Sequence, residues 1–194
     1  MKNRIAIVTS GKSRGSNFSA IVEYFKKEKV FVDIAFIVVT EEDAPVIEKA
    51  AEYGINIFFI PYESMAVFET SLLLACNDKG VELIALAGFM KKLSSKFIRV
   101  FSKPIINVHP ALLPKYGGKG MYGARVHKAV FEAGEKYSGV TIHYVNDEYD
   151  AGTIIAQEKV SIEDCISPEE IAERVLKLEH QLYAPTIFKV LQKR

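Results

Sequence analysis

The sequence predicts an α/β fold, a Rossmann-like, doubly wound and mostly parallel sheet with helices on both faces and antiparallel strands in its C-terminal part. Two observations carry this. Through residues 1–108, short and almost wholly apolar β-branched runs alternate with longer segments of helical periodicity, the pattern of strands covered on both faces by crossover helices. Beyond Pro110 the composition turns to Gly, Pro and Tyr before further strand-like runs, so the second half follows a different plan.

Taken in order, Arg4-Ile5-Ala6-Ile7-Val8-Thr9 is the first strand and 10–16 a polar turn. Phe18, Ile21, Val22 and Phe25 then recur at helical spacing, with Asn17 placed as the N-cap. A second strand runs over about 31–39, and a helix over 45–53 stops at Gly54. A third strand covers 55–60, and a helix over 64–79 ends at Gly80. The fourth and fifth strands are 83–87 and 105–108. Residues 110–123 read as a long ordered loop and about 125–133 as a helix. Strands at 138–144 and 153–160 flank an acidic loop at 146–152. Pro168 opens a long final helix at its first turn, where a missing N–H costs nothing. No linker, internal repeat or low-complexity tract divides the 194 residues, so one domain is expected.

Composition removes several functions. The 25 basic and 24 acidic residues leave a net charge of +1, which offers no electrostatic footprint for nucleic acid or an anionic membrane. Two distant cysteines, Cys76 and Cys165, make neither a disulfide framework nor a zinc site, and read as free thiols. The first apolar run is too short for a signal-peptide core or a membrane span, so a cytoplasmic protein is expected.

Four segments can carry chemistry. Ser10-Gly11-Lys12-Ser13-Arg14-Gly15-Ser16-Asn17 lies between the first strand and helix. There, free N–H groups at a helix start can cradle a phosphate, although a plain capping turn also fits. It is not a Walker loop, since Ala6 stands where the first Gly belongs, and it lacks Gly-x-Gly-x-x-Gly. In Asn107-Val108-His109-Pro110 the strand period of two turns Asn107 and His109 to one face. An amide beside an imidazole suits a carbonyl oxygen that gains negative charge, yet on local grounds a hydrogen-bonded core histidine is the commoner reading. Asp147-Glu148-Tyr149-Asp150-Ala151-Gly152 offers a carboxylate that could orient His109, or a solvated acidic turn. Leu86-Ala87-Gly88-Phe89-Met90-Lys91-Lys92-Leu93 could wall a flat heterocycle or simply pack a strand–helix junction.

In this order and spacing, these segments closely resemble the glycinamide ribonucleotide formyltransferases of purine synthesis. The similarity extends to Gly139-Val140-Thr141-Ile142-His143-Tyr144 and Leu178-Glu179-His180, and covers essentially the whole chain. The resemblance implies transfer of the formyl group of 10-formyltetrahydrofolate to the amine of the glycinamide nucleotide, directly, through a tetrahedral intermediate and without a metal. It implies a catalytic trio of Asn107, His109 and Asp150, with Asp150 keeping His109 protonated. It assigns Gly15, Ser16 and Asn17 to the nucleotide phosphate and Glu179 to the glycinamide part. Met90, Lys91, Lys92 and Leu93, with Asn107, fall to the folate. Residues 1–108 would then be the nucleotide-binding half, and 109–194 the folate-site loops and final helix. Its partners would be these small molecules, with no nucleic acid or membrane, in a monomer or homodimer.

Three departures from the family pattern stand out. Lys12-Ser13-Arg14 lengthens the phosphate loop, 116–123 replaces a shorter loop that usually contains Pro-Gly, and Met65 stands where many members carry a basic residue. Two rival functions are a 10-formyltetrahydrofolate hydrolase, which usually carries a further N-terminal regulatory domain, and a non-catalytic nucleotide-binding module. Formyl transfer to methionyl-tRNA is disfavoured by the lack of a basic RNA-binding surface.

Overall fold

The computed structural model describes residues 3–193. Its elements follow the chain as β1 (Arg4–Val8), α1 (Ser16–Lys27), β2 (Asp33–Val39), α2 (Val46–Glu52), β3 (Ile57–Phe59), α3 (Met65–Lys79) and β4 (Leu83–Leu86). They continue with α4 (Ser95–Phe101), β5 (Ile105–His109), α5 (Ala124–Glu132), β6 (Tyr137–Tyr144), β7 (Ile154–Ser161) and α6 (Pro168–Gln192). One seven-stranded sheet has the order β3-β2-β1-β4-β5-β6-β7. Strands β1 to β5 are parallel, and β6 and β7 add to the β5 edge antiparallel. This is the predicted Rossmann-like architecture.

The near-continuous hydrophobicity of the strands has a direct cause. Ile5 and Ile7 point into a core closed mainly by α1, α2 and α6, whereas Ala6 and Val8 point into a second core under α3 and α4. All four are fully buried, and each large apolar side chain so buried stabilises the fold by roughly 1.5–3 kcal/mol. A strand with one wet face would alternate polar and apolar residues; these do not.

Some boundaries differ from the sequence reading. Helix α1 starts at Ser16 with Gly15 as its N-cap, so Asn17 is not the cap but the second helical residue. Gly15 is in the left-handed region (φ 67°) with Val46 packed where a Cβ would stand, so backbone conformation and space, rather than a capping side chain, start this helix. Strand β3 is shorter than expected, and Phe31 lies outside β2 and is exposed. Helix α4 was not anticipated. Its signals are the Ser94 hydroxyl accepting from Phe97 N–H and the i, i+4 pair Phe97 and Phe101 turned to the core.

Two buried polar groups tie the elements that matter most. Tyr183, fully buried on α6, donates its hydroxyl hydrogen toward the carbonyls of Leu86 at 2.8 Å and Ile106 at 3.2 Å, joining β4 and β5 to the helix. Thr141 on β6 accepts from Leu113 N–H and from the Gln157 amide, and donates to the Ala111 carbonyl. These bonds pin the chain as it leaves β5. Thr141→Val removes all three from a fully buried position, and each stranded group costs about 1–3 kcal/mol. The Gln157 amide keeps the Leu113 carbonyl as a partner, so two groups are stranded, and a fall of at least about 2 kcal/mol is expected in urea unfolding.

Candidate active site

The strand order reverses between β1 and β4, so loops on either side diverge at the carboxyl edge of the sheet, where such folds open a crevice. A cavity of about 270 Å³ opens there. It is bordered by Asn107 and His109 from β5, by His143 from β6, and by Asp150 from the turn before β7. The period of two places Asn107 and His109 together as expected, and the β5–β6 pairing sets Asn107 directly opposite His143.

Hydrogen bonding fixes the state of each side chain. The Tyr116 carbonyl lies 2.8 Å from His109 Nε2 and can only accept, so Nε2 carries the proton. His109 Nδ1 faces Asp150 Oδ2 at 3.5 Å. Asp150 has φ 53° and accepts from Gly118 N–H at 2.9 Å. His143 Nδ1 donates to the Tyr144 carbonyl at 2.9 Å, which leaves Nε2 to accept from the Asn107 amide at 3.2 Å. Asn107 therefore keeps one N–H for a ligand.

Burial pushes the His109 imidazole below its ordinary value, against the opposing pull of the Asp150 carboxylate and the Tyr116 carbonyl. Asp150, 3.5 Å away, pulls the His109 ring toward protonation while desolvation pulls the other way and is the larger effect. Burial acts on Asp150 in the raising direction, but the hydrogen bond from the Gly118 N–H helps to hold it below the usual carboxylate range. The pair is an imidazole and a carboxylate 3.5 Å apart, each held below its ordinary value.

Asn17 and Glu179 also border the cavity. The Asn17 amide donates to Glu179 Oε2 at 2.5 Å, while its own Oδ1 is buried without a partner. Gly15 and Ser16 do not border the cavity; they form the adjoining start of α1, which no side chain caps, so its first N–H groups stay open. Burial raises the Glu179 carboxyl from 4.5 to about 7, against the Asn17 hydrogen bond. A carboxyl raised on folding contributes stability that is full below pH 4.5 and lost as the pH rises through about 7. Glu179→Gln keeps the acceptor for Asn17 and removes that loss. It is expected to raise thermal stability over the parent at about pH 8, by no more than on the order of 3 kcal/mol, and hardly at about pH 4. Melting curves at the two pH values check this.

The 86–93 segment supplies more of the border. Met90, Lys91, Lys92 and Leu93 all border the cavity. Phe89 stacks on Phe68 at 5.3 Å, and the Ser10 hydroxyl accepts from Met90 N–H, fixing the segment to the β1 loop. Lys91 Nζ stands over the Tyr62 ring and Lys92 Nζ over the Tyr149 ring, at 4.4 and 5.4 Å. The result is an apolar slot with cations at its rim.

Two further groups lie in the site that sequence reasoning did not assign. His143 orients Asn107, and its strand position opposite Asn107 is visible only once β5 and β6 are paired. His127 on α5 borders the cavity with Nδ1 unpartnered and the ring driven by burial to about 4. Its only sequence signal is a histidine between apolar Val126 and Val130.

The chain matches the formyl transferase family over residues 3–187. It is 39% identical over 197 residues to the chloroplastic phosphoribosylglycinamide formyltransferase of Arabidopsis thaliana, covering 100% of this chain and 67% of that protein. It is 39% identical to the phosphoribosylglycinamide formyltransferase of Bacillus subtilis, covering 97% of this chain and 94% of the other. The structure superposes on glycinamide ribonucleotide transformylase 1 of Geobacillus kaustophilus with a TM-score of 0.88 at 33% identity, covering 98% and 100% of the two chains.

Proposed function

Because the chain belongs to the formyl transferase family, we propose that it is a phosphoribosylglycinamide formyltransferase of purine biosynthesis. It moves the formyl group of 10-formyltetrahydrofolate to the amine of the glycinamide nucleotide, releasing the N-formyl nucleotide and tetrahydrofolate. The observation that carries this reading is one cavity bordered by Asn107, His109 and Asp150 together with Asn17, Glu179 and the 90–93 segment.

The folate supplies a formyl group already activated on nitrogen. An apolar slot closed by Phe89 and Met90, with Lys91 and Lys92 at its rim, suits a flat heterocycle that carries carboxylates. The open N–H groups at the start of α1 suit the nucleotide phosphate, with Gly15, Ser16 and Asn17 as its ligands. Glu179 faces the nucleotide from α6.

As the nucleotide amine attacks the formyl carbon, its nitrogen becomes positive and the carbonyl oxygen negative. The free Asn107 N–H stabilises that oxygen in the tetrahedral intermediate. Neutral His109 accepts the surplus amine proton and passes it to the departing folate nitrogen. Asp150 stabilises the imidazolium in between. The C–N bond to the folate then breaks with no net gain or loss of protons.

Incubation with 10-formyltetrahydrofolate, with and without glycinamide ribonucleotide, tests the reading. Tetrahydrofolate formed only with the nucleotide, mole for mole with formylated nucleotide, is expected. Equal release without nucleotide would identify a hydrolase instead, and no product in either case a binding module.

A further inference from the structure

The 116–123 loop, where the chain departs from the family pattern, contains a turn that touches both members of the imidazole–carboxylate pair. The Tyr116 carbonyl accepts from His109 Nε2, and two residues later the Gly118 N–H donates to Asp150 Oδ2. Between them a Cβ on Gly117 would sit 3.2 Å from Asp150 Cβ, so the turn also packs directly on that side chain. Whatever holds this turn sets the geometry of both groups.

Tyr116 itself has φ 57°, a left-handed conformation unusual for an aromatic residue. Such strain persists only where the surroundings over-determine it. Here the restraint is visible. The Tyr116 hydroxyl donates to Glu135 Oε1 at 2.9 Å, and Lys115 Nζ reaches the same oxygen at 2.8 Å. Glu135 lies in the α5–β6 turn, outside the cavity.

We infer that the Tyr116–Glu135 hydrogen bond is a tether that holds the 116–118 turn in place and so positions His109 and Asp150. Glu135 and the Tyr116 hydroxyl are positioning groups. The tether fixes the His109 tautomer, because a carbonyl held against Nε2 keeps the proton there and leaves Nδ1 open toward Asp150. The other titratable groups facing His109 are Asp150, His143 on β6 and His127 on α5. None of these makes a hydrogen bond to the Tyr116 hydroxyl or to Glu135. Loosening the tether therefore acts on His109 through the lost carbonyl contact.

The inference rests on the transferase reading for its kinetic test and not for its spectroscopic one. Tyr116→Phe and Glu135→Ala are each expected to lower kcat on the order of tenfold, with KM for either substrate nearly unchanged. The double variant should be no slower than the worse single one. Glu135→Gln, whose amide oxygen still accepts from the hydroxyl, should keep most of the activity. In nitrogen NMR of the imidazoles, parent His109 should show the Nε2–H tautomer. Tyr116→Phe should show mixed tautomers and a lower titration midpoint. Parent-like kcat and an unchanged His109 spectrum in Tyr116→Phe would overturn the tether, as would full additivity in the double variant. A parent that transfers no formyl group would sink the transferase reading, while the spectra would still decide the tether.

Discussion

His109→Ala lowers kcat by about 10²–10⁴, the contribution of a positioned proton-transfer group, and leaves the chain folded. The ring is almost wholly buried, yet it packs against a cavity, so its loss enlarges space that is already open and should cost little stability. Turnover with both substrates, beside circular dichroism of parent and variant, separates the two effects. The pH profile gives a sharper result. Burial lowers the imidazole from 6.5, and the working form in the proposed mechanism is the neutral one. Activity should fall toward acid only below pH 6.5, through the lowered value. An acid limb above that point would mean that the Asp150 charge wins over burial and that His109 starts protonated.

Asn107→Ala is expected to lower kcat by about 10²–10³, the usual cost of losing one oxyanion donor, with a much smaller effect on KM. The reason lies in the bond to His143. With Nδ1 committed to the Tyr144 carbonyl, His143 Nε2 can only accept, and it draws the Asn107 amide nitrogen toward itself. The second N–H is thereby aimed without any contribution from substrate. Asn107→Asp should be at least as slow, since it sets a negative charge where negative charge must develop. Single-turnover rates with saturating folate and nucleotide measure both variants. A drop confined to KM would recast Asn107 as a binding residue.

Much of this arrangement is legible before any coordinates. The parallel core follows from strands apolar on both faces, and the side-by-side placement of Asn107 and His109 follows from a period of two. Helix α4 is not legible because seven residues with two buried phenylalanines fall short of two amphipathic periods. Asp150 could be named as a candidate but not placed. Its approach to His109 depends on the β6–β7 pairing and on its own left-handed φ, neither of which is written in local spacing. The Tyr116 carbonyl is harder still, because every residue has a carbonyl and only the turn decides which one is aimed. The burial of His109 is hard to foresee for a related reason. Sequence shows a carboxylate nearby more readily than it shows how much water the fold removes.

The hydroxyl of Tyr183, shared between the carbonyls of Leu86 and Ile106, bears on the order in which the molecule is made. A nascent chain leaves the ribosome N-terminus first and folds in that direction. Strands β1 to β5 can pair once 105–109 has emerged, but β4 and β5 then lack the hydroxyl that later joins them. Glu179, four residues before Tyr183, arrives on the same turn of helix. During synthesis the cavity thus has one side missing until the last described helix docks. Formyl donor and nucleotide meet a complete site only on a chain that has been made through α6.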